Sequence, residues 1–268
     1  MNPNWTANML DKLAKNVSQD QVELKLATIT PGKPEVFQSK QGEGASAGHE
    51  CVFVRLSQCN LHCVWCDTPY TWNFKGTNHT HPSVKFDRAA EVMVKSVPDL
   101  VQMVLEFDTR RVVITGGEPL LQQRAIIALC KQLKNEDPRY KIEIETNGTI
   151  SPGDDLSTLI DQFNVSPKLE HSNNALEVRR RERPLRWFAK NSNAFFKFVM
   201  QSPEDIAEVV EIVDEYSLVR SRVFLMPEGT CSEKLEAKKE WLTKLCKVHG
   251  FRFSDRLHIH EYGDTRGT

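Results

Sequence analysis

The sequence predicts an α/β protein built as an incomplete (βα)6 partial barrel. Six short strand-like segments, Cys51–Ser57, Arg111–Gly116, Lys141–Glu145, Phe163–Lys168, Ala194–Met200 and Arg222–Met226, alternate with helical patterns. That order folds into a parallel sheet through right-handed crossovers. Cys, Gly, Ser, Lys and Glu residues crowd the exits of successive strands, where parallel α/β sheets hold their ligands. A chain of 268 residues is long enough for one domain of this kind.

Composition narrows the class. Hydrophobic residues make up 40% and charged residues 26%, as in ordinary globular proteins. The net charge of −1 provides no global attraction for nucleic acid or anionic membrane. No apolar run approaches the ~20 residues of a membrane span, and the first residues lack the basic and apolar regions of a signal peptide. Seven cysteines, with Cys59, Cys63 and Cys66 close together, argue against a secreted disulfide framework and for a reducing, cytoplasmic setting.

Taken in order, residues 1–34 read as an extension that packs on the domain or meets a partner subunit. Trp5, Met9, Leu13 and Val17 recur at helical spacing, and Val22, Leu24 and Leu26 alternate as a strand does. Residues 35–50 read as a loop in which Gly42, Gly44 and Gly48 admit a ligand close to the backbone, with Gln41 and Glu43 as its polar groups. The first barrel strand reads as buried on both faces. Arg55 within it has two readings: an internal salt bridge, or a guanidinium fork for a substrate carboxylate.

His79 and His81 read as exposed histidines rather than a metal pair. A helix is expected from Asp87, through Ala90, Val94, Val97, Val101 and Leu105, with Pro98 kinking or restarting it. Leu120–Leu133 is the next helix, and Cys130 packs in its core face. The arginines of 179–186, interleaved with Glu177 and Glu182, read as a solvated face rather than a nucleic-acid patch. Ser202-Pro203-Glu204-Asp205 starts a helix, with Ser at the cap, Pro next and acids in the first turn. Ser232–Val248 is the last long helix. The polar stretch from Arg256 to Thr268 reads as ordered rather than as a fraying tail.

The densest chemistry is Cys59-Asn-Leu-His-Cys63-Val-Trp-Cys66, a C-x3-C-x2-C spacing. A thiolate trio this tight can fold around one metal centre. Iron–sulfur clusters normally take four Cys thiolates, so three in one loop point to a cluster with one iron left open. Zinc is the other reading, although structural zinc sites are closed and usually use paired ligands elsewhere in the chain. Cys51, Cys130, Cys231 and Cys246 stand alone.

The C-x3-C-x2-C motif resembles the signature of radical S-adenosylmethionine enzymes. The flanking motifs Glu35 to Gly44, Cys66-Asp67-Thr68, Thr115-Gly116-Gly117-Glu118-Pro119, Glu145-Thr146-Asn147-Gly148, Ser166-Pro167-Lys168 and Arg256 to Thr268 resemble the 7-carboxy-7-deazaguanine synthase family. The likeness runs from about residue 35 to the last residue. It implies a partial barrel of the radical SAM type, with residues 35–268 as the core domain and a C-terminal segment closing the site. It also implies a [4Fe–4S] cluster on Cys59, Cys63 and Cys66, with Thr68 as the protein ligand of Mg2+ and Asp67 steadying the cluster loop. S-adenosylmethionine is expected against Trp65, Gly117, Glu118, Ser166, Pro167, Lys168, Met226, Pro227, Glu228 and Gly229. Substrate is expected against Lys40, Gln41, Gly42, Glu43, Arg55, Thr115 and His258, with His260 the alternative to His258, and against the carboxylate of Thr268.

The reaction implied begins with reductive cleavage of S-adenosylmethionine to a 5′-deoxyadenosyl radical. Hydrogen is taken from 6-carboxy-5,6,7,8-tetrahydropterin, the ring contracts, ammonia leaves and 7-carboxy-7-deazaguanine forms. No side chain is expected to act as a catalyst beyond the cofactor-bound radical. The family also implies a homodimer and a flavodoxin-like or other electron donor, with no direct contact to nucleic acid. Two other readings fit the Cys motif: an activase that places a radical on a protein partner, and a non-catalytic zinc or RNA-binding module.

Overall fold

The computed structural model describes residues 22–268. The helical pattern of Trp5, Met9, Leu13 and Val17 lies outside them. The first strand, β1 (Glu23–Thr30), alternates as expected, with Leu24 and Leu26 fully buried. The two-residue β2 (Lys33–Pro34) folds back against it. Then comes β3 (Val36–Lys40), antiparallel to β4 (Glu50–Leu56) from Val36↔Val54 to Lys40↔Glu50. The loop expected over residues 35–50 is therefore a strand at its start. Gln38, Ser39 and Lys40 hide it from a reading by hydrophobicity, and the ladder to β4 supplies what propensity lacks. Since β1 also meets β4 at Leu26↔Leu56, residues 23–34, on the extension side of the expected boundary, are part of the same sheet.

The helix expected from Asp87 is corrected. Arg88–Glu91 forms a single turn, Val92–Ser96 is strand β5 paired antiparallel with β1, and Val97–Leu105 is the helix. Val92 and Val94 are β-branched and take the open ladder that β1 offers. Ser96 Oγ accepts from Asp99 N at 3.2 Å, so Pro98 falls in the first turn, where its missing N–H costs nothing.

The remaining strands are β6 (Arg111–Gly116), β7 (Lys141–Thr146), β8 (Gln162–Val165), β9 (Ala194–Met200), β10 (Val223–Pro227) and the short β11 (Arg252–Phe253). Neighbours in the sheet run β11-β10-β9-β8-β7-β6-β4-β1-β2. From β4 through β6 to β10, the six barrel strands are parallel and adjacent in chain order. Strands β4 and β10 do not pair, so the barrel stays open.

The two faces of this sheet differ because successive side chains alternate. Val52, Val54, Val112, Ile114, Ile142, Ile144, Phe163, Val165, Phe196, Phe198, Val223 and Leu225 are buried against the helices, meeting Leu100, Val104, Ile126, Leu129, Phe188, Val209 and Leu242. Each such side chain contributes roughly 1.5–3 kcal/mol of burial. The concave face instead carries Arg55, Thr115, Glu143, Glu145, Asn164 and Lys197, interleaved with those apolar positions. Strand β4 is fully buried on its outer face, whereas Phe53 and Arg55 on the inner face are half-buried at the cavity, which corrects the expectation of burial on both. The loop after β3 fills part of the opening: Ser46 Oγ donates to Glu143 at 2.7 Å, and Gly44 N donates to Ser254 Oγ at 2.8 Å.

The arginine-rich stretch is not a solvated face throughout. Arg179 is buried and donates to Glu208 and to the Lys168 carbonyl, and Arg180 donates to Glu211 and Glu215. These bonds fasten residues 176–190 to the helix Ile206–Glu215. Only further along does Arg186 pair within its own turn, with Glu182 at 2.8 Å.

Candidate active site

At the carboxyl ends of the barrel strands lies a cavity of about 250 Å³. The cluster loop enters it from β4. Gln58 turns the chain out of the strand with φ +79, an uncommon conformation for a residue other than glycine. The loop is then fixed from two sides. Asn60 donates to Thr149 Oγ1 at 2.8 Å and accepts from Asn147 at 2.9 Å, while His62 N donates to Asn174 Oδ1 at 2.9 Å and Val64 N to the Ser172 carbonyl at 3.2 Å.

All three sulfurs are free thiols, and each accepts an N–H. Leu61 N donates to Cys59 at 3.4 Å, Asn174 Nδ2 to Cys63 at 3.3 Å and Trp72 Nε1 to Cys66 at 3.3 Å. Burial pushes all three thiols up, Cys66 to about 11. Bare, they stay protonated, and a metal must displace the protons. A single zinc with Zn–S of about 2.3 Å would bring its sulfurs to roughly 3.8 Å from one another. Among the described residues, only Glu236, Asp255 and His260 place three ligand atoms within 4.8 Å of one another, so the Cys sulfurs are spread wider. Three separated thiols with N–H donors, opening on a cavity, fit the corners of a cluster better than one tetrahedral ion.

Below the loop runs a buried charge network. Lys197 Nζ lies between Glu43 and Glu145, 3.0 Å from the latter, and is 7% exposed. Gln41 and Asn164 donate to the other oxygen of Glu145 at 3.1 and 3.0 Å. Arg256 Nε donates to Glu43 at 3.1 Å, and another of its nitrogens pairs with Asp67. Burial alone would push Glu43 up, but Lys197 and Arg256 hold it well below the usual carboxylate range. Burial pushes Glu145 up, against the pull of Lys197, and lowers His258, which therefore carries a neutral imidazole at pH 7.

The internal salt bridge of Arg55 is present. Its Nε donates to Glu35 at 2.7 Å, and Tyr70 Oη donates to the same carboxylate at 3.0 Å. Its terminal nitrogens have no protein partner among the described residues, and the side chain lines the cavity.

The cavity lining brings together Lys40, Gln41, Gly42, Glu43, Arg55, Cys59, Cys63, Trp65, Cys66, Thr68, Thr115, Gly117, Ser166, Lys168, Met226, Glu228, Gly229, His258 and Thr268. It leaves out Glu118, Pro167 and Pro227. Glu118 is fully buried and already satisfied, accepting from Asn147 N at 2.7 Å, Thr146 Oγ1 at 2.9 Å and Leu120 N at 3.0 Å. It staples the β6 exit to the β7 exit instead of offering a free anion to a ligand. His260 is also outside, held by Asp255 and Ser232 at 3.0 and 3.1 Å. Gly42 has no room for a side chain, since a Cβ there would lie 2.2 Å from His258 Nδ1.

Sequence reasoning gave no role to Glu35, Glu145, Lys197 or Arg256. A charged residue inside an apolar strand, as at Lys197 within Ala194–Met200, was the available signal.

The family described as the radical SAM superfamily matches residues 54–216. The chain is 34% identical to the 7-carboxy-7-deazaguanine synthase of Rhodopirellula baltica, over 87% of this chain and 87% of that protein. It is also 34% identical to the synthase of Pyrobaculum aerophilum, over 87% of this chain and 95% of that protein. The crystal structure of QueE from Escherichia coli shares the fold, with a TM-score of 0.64 and 23% identity over 91% of this chain and 99% of that one. The chain therefore belongs to the 7-carboxy-7-deazaguanine synthase family of the radical SAM superfamily.

Proposed function

We propose that the chain converts 6-carboxy-5,6,7,8-tetrahydropterin to 7-carboxy-7-deazaguanine with release of ammonia, a step toward queuosine-type 7-deazapurines. The observation that carries this is a single cavity lined both by the thiols of Cys59, Cys63 and Cys66 and by the polar side chains of Glu43, Gln41, Arg55 and His258. Cys59, Cys63 and Cys66 would hold the [4Fe–4S] cluster, which with S-adenosylmethionine supplies reductive cleavage to an organic radical. Trp65, Gly117, Ser166, Lys168 and the Met226–Gly229 turn are the contacts for S-adenosylmethionine. Thr68 offers Mg2+ one hydroxyl, which suits an ion that keeps several waters and shares substrate oxygens.

The protein's own part is binding and orientation. Glu43, kept ionised by Lys197 and Arg256, accepts from N–H groups of the pterin's pyrimidine ring. Arg55 has its Nε fixed by Glu35, so the terminal nitrogens are presented in a set direction toward the substrate carboxylate. A neutral His258 can accept or donate at Nδ1 or Nε2 without adding charge near Arg256. The same reading includes a homodimer, a flavodoxin-like or other one-electron donor and a cytoplasmic setting, the last supported by seven free thiols. No helix of the described residues is long and apolar enough to cross a membrane.

The test is anaerobic reconstitution with iron and sulfide, then incubation with the carboxytetrahydropterin, S-adenosylmethionine, Mg2+ and a one-electron reductant. Product with the mass and ultraviolet spectrum of 7-carboxy-7-deazaguanine is expected. An iron-replete enzyme that cleaves S-adenosylmethionine but leaves the pterin intact would overturn the substrate assignment. A colourless protein with one zinc would overturn the cluster.

A further inference from the structure

We infer that Arg256 is a positioning residue that locks the substrate loop, the cluster loop and the β10 exit into one register, an inference that rests on the reaction proposed above. Its guanidinium is 8% exposed and reaches three separate segments. Nε donates to Glu43 at 3.1 Å, Nη1 donates to the Gly229 carbonyl at 2.5 Å, and Nη2 pairs with Asp67. Glu43 belongs to the loop that cradles the pterin. Asp67 sits between Cys66 and Thr68. Gly229 closes the turn assigned to S-adenosylmethionine. The backbone around Arg256 adds a fourth tie, since Leu257 N donates to the Gly42 carbonyl at 3.0 Å and so seats His258 over the same loop.

A planar fork presents its donors in fixed directions from three separate nitrogens, whereas a lysine ammonium places its three donors on one nitrogen and spans less distance between acceptors. Without the fork, Glu43 keeps Lys197 as its one close cation, and Asp67, half-buried at the cavity wall, is left with no ion-pair partner among the described residues. The segments then fold as before but can shift against one another. A displacement on the order of 1 Å costs about 10²-fold in rate, because reacting atoms must meet within a narrow distance. Arg256 touches no reacting atom in this account. It acts through Glu43, Asp67 and the Gly229 turn.

The test compares wild type with Arg256→Lys, and with Asp67→Asn as the conservative break on the other side of the ion pair. Iron content and Tm are measured for each, together with the affinity of cluster-free protein for the pterin by calorimetry. In the loaded enzymes, kcat, KM and deoxyadenosine released per product are measured. Arg256→Lys is expected to retain iron and to weaken pterin affinity of the cluster-free protein by about 10-fold, within the range seen when partners of ligand-holding groups are removed. Its kcat should fall by roughly 10–100-fold, and its deoxyadenosine per product should rise by about 10-fold. Asp67→Asn should move the same ratio in the same direction. A lowered Tm with unchanged pterin affinity and an unchanged deoxyadenosine ratio in both variants would reduce Arg256 to a structural tie and overturn the inference. Wild type that makes no 7-carboxy-7-deazaguanine at all would overturn the proposed reaction, and this inference with it.

Discussion

A tight backbone approach in the site lies at Gly117, beside the first cysteine, and Gly117→Ala tests it. A Cβ on Gly117 would lie 2.1 Å from the Gln58 carbonyl oxygen, 2.5 Å from its carbon and 2.9 Å from Cβ of Cys59. Real Cβ contacts do not fall below 3.0 Å. One strand exit must therefore retreat by roughly 0.9 Å, and the atoms in the way are backbone, which cannot rotate aside. The retreat pulls on the bonds from Gly117 N to the Leu56 carbonyl at 3.1 Å and from Glu118 N to the Gln58 carbonyl at 2.8 Å, and it moves Cys59 with Gln58. Overpacking of this kind costs about 1–3 kcal/mol, at roughly 2–4 °C of Tm per kcal/mol for a chain of this size class. The expected activity loss is about 10²-fold, because the displaced residue is Cys59, the first of the proposed cluster ligands. Gly153→Ala is the control: its φ is −71 and its nearest neighbour is Gln123 Oε1 at 3.8 Å, so no clash arises and only the cap preference of Gly over Ala, about 0.5–1 kcal/mol, is lost, with iron content unchanged. Iron per chain, visible absorbance, Tm and product formation are measured on both. Gly117→Ala with wild-type iron content, Tm and turnover would refute the claim that this contact sets the cluster loop.

Trp72→Phe removes the N–H that Cys66 accepts at 3.3 Å. The cluster's midpoint potential should become more negative, as hydrogen bonds to the sulfurs stabilise the reduced state; a redox titration with an unchanged midpoint would contradict this. Lys197→Met leaves Glu43 and Glu145 buried without their shared cation, and breaking such a pair costs about 3–5 kcal/mol. Denaturant unfolding at pH 7 measures it, and a loss below about 1 kcal/mol would show that the two carboxylates relax without it. Glu43 has a depressed pKa, so its contribution to stability is present above the ordinary glutamate value of about 4.3 and is lost as pH falls below it. Wild type should therefore lose stability more steeply than Glu43→Gln on acidification below about pH 4.5, and parallel curves would remove Glu43 as a source of acid sensitivity.

Much of the site is legible because its parts are local in the chain. Cys59, Cys63 and Cys66 lie within eight residues, and no folding event is needed to bring them near one another. The exits of β6, β8 and β10 carry Gly117, Ser166 and Met226 to one mouth because parallel strands end on the same side. Other features were hidden. The strand β5 has a helical apolar period in the sequence, and only the free ladder of β1 makes it extended. Glu118 stands in a motif expected to face S-adenosylmethionine, yet three donors hold its carboxylate outside the cavity lining.

The sequence by itself determined the close thiol trio, the parallel α/β order and the mouth at which the strand exits gather, since each follows from short spacings or from the direction of the strands. Only the tertiary structure decided that Arg55 shares its charge with Glu35, that Lys197 sits between two carboxylates and that Arg256 spans three loops. Those pairings join residues 20 to 213 positions apart. They depend on strand register and on burial, which set the partner and the pKa of a buried charge and leave no mark in local composition.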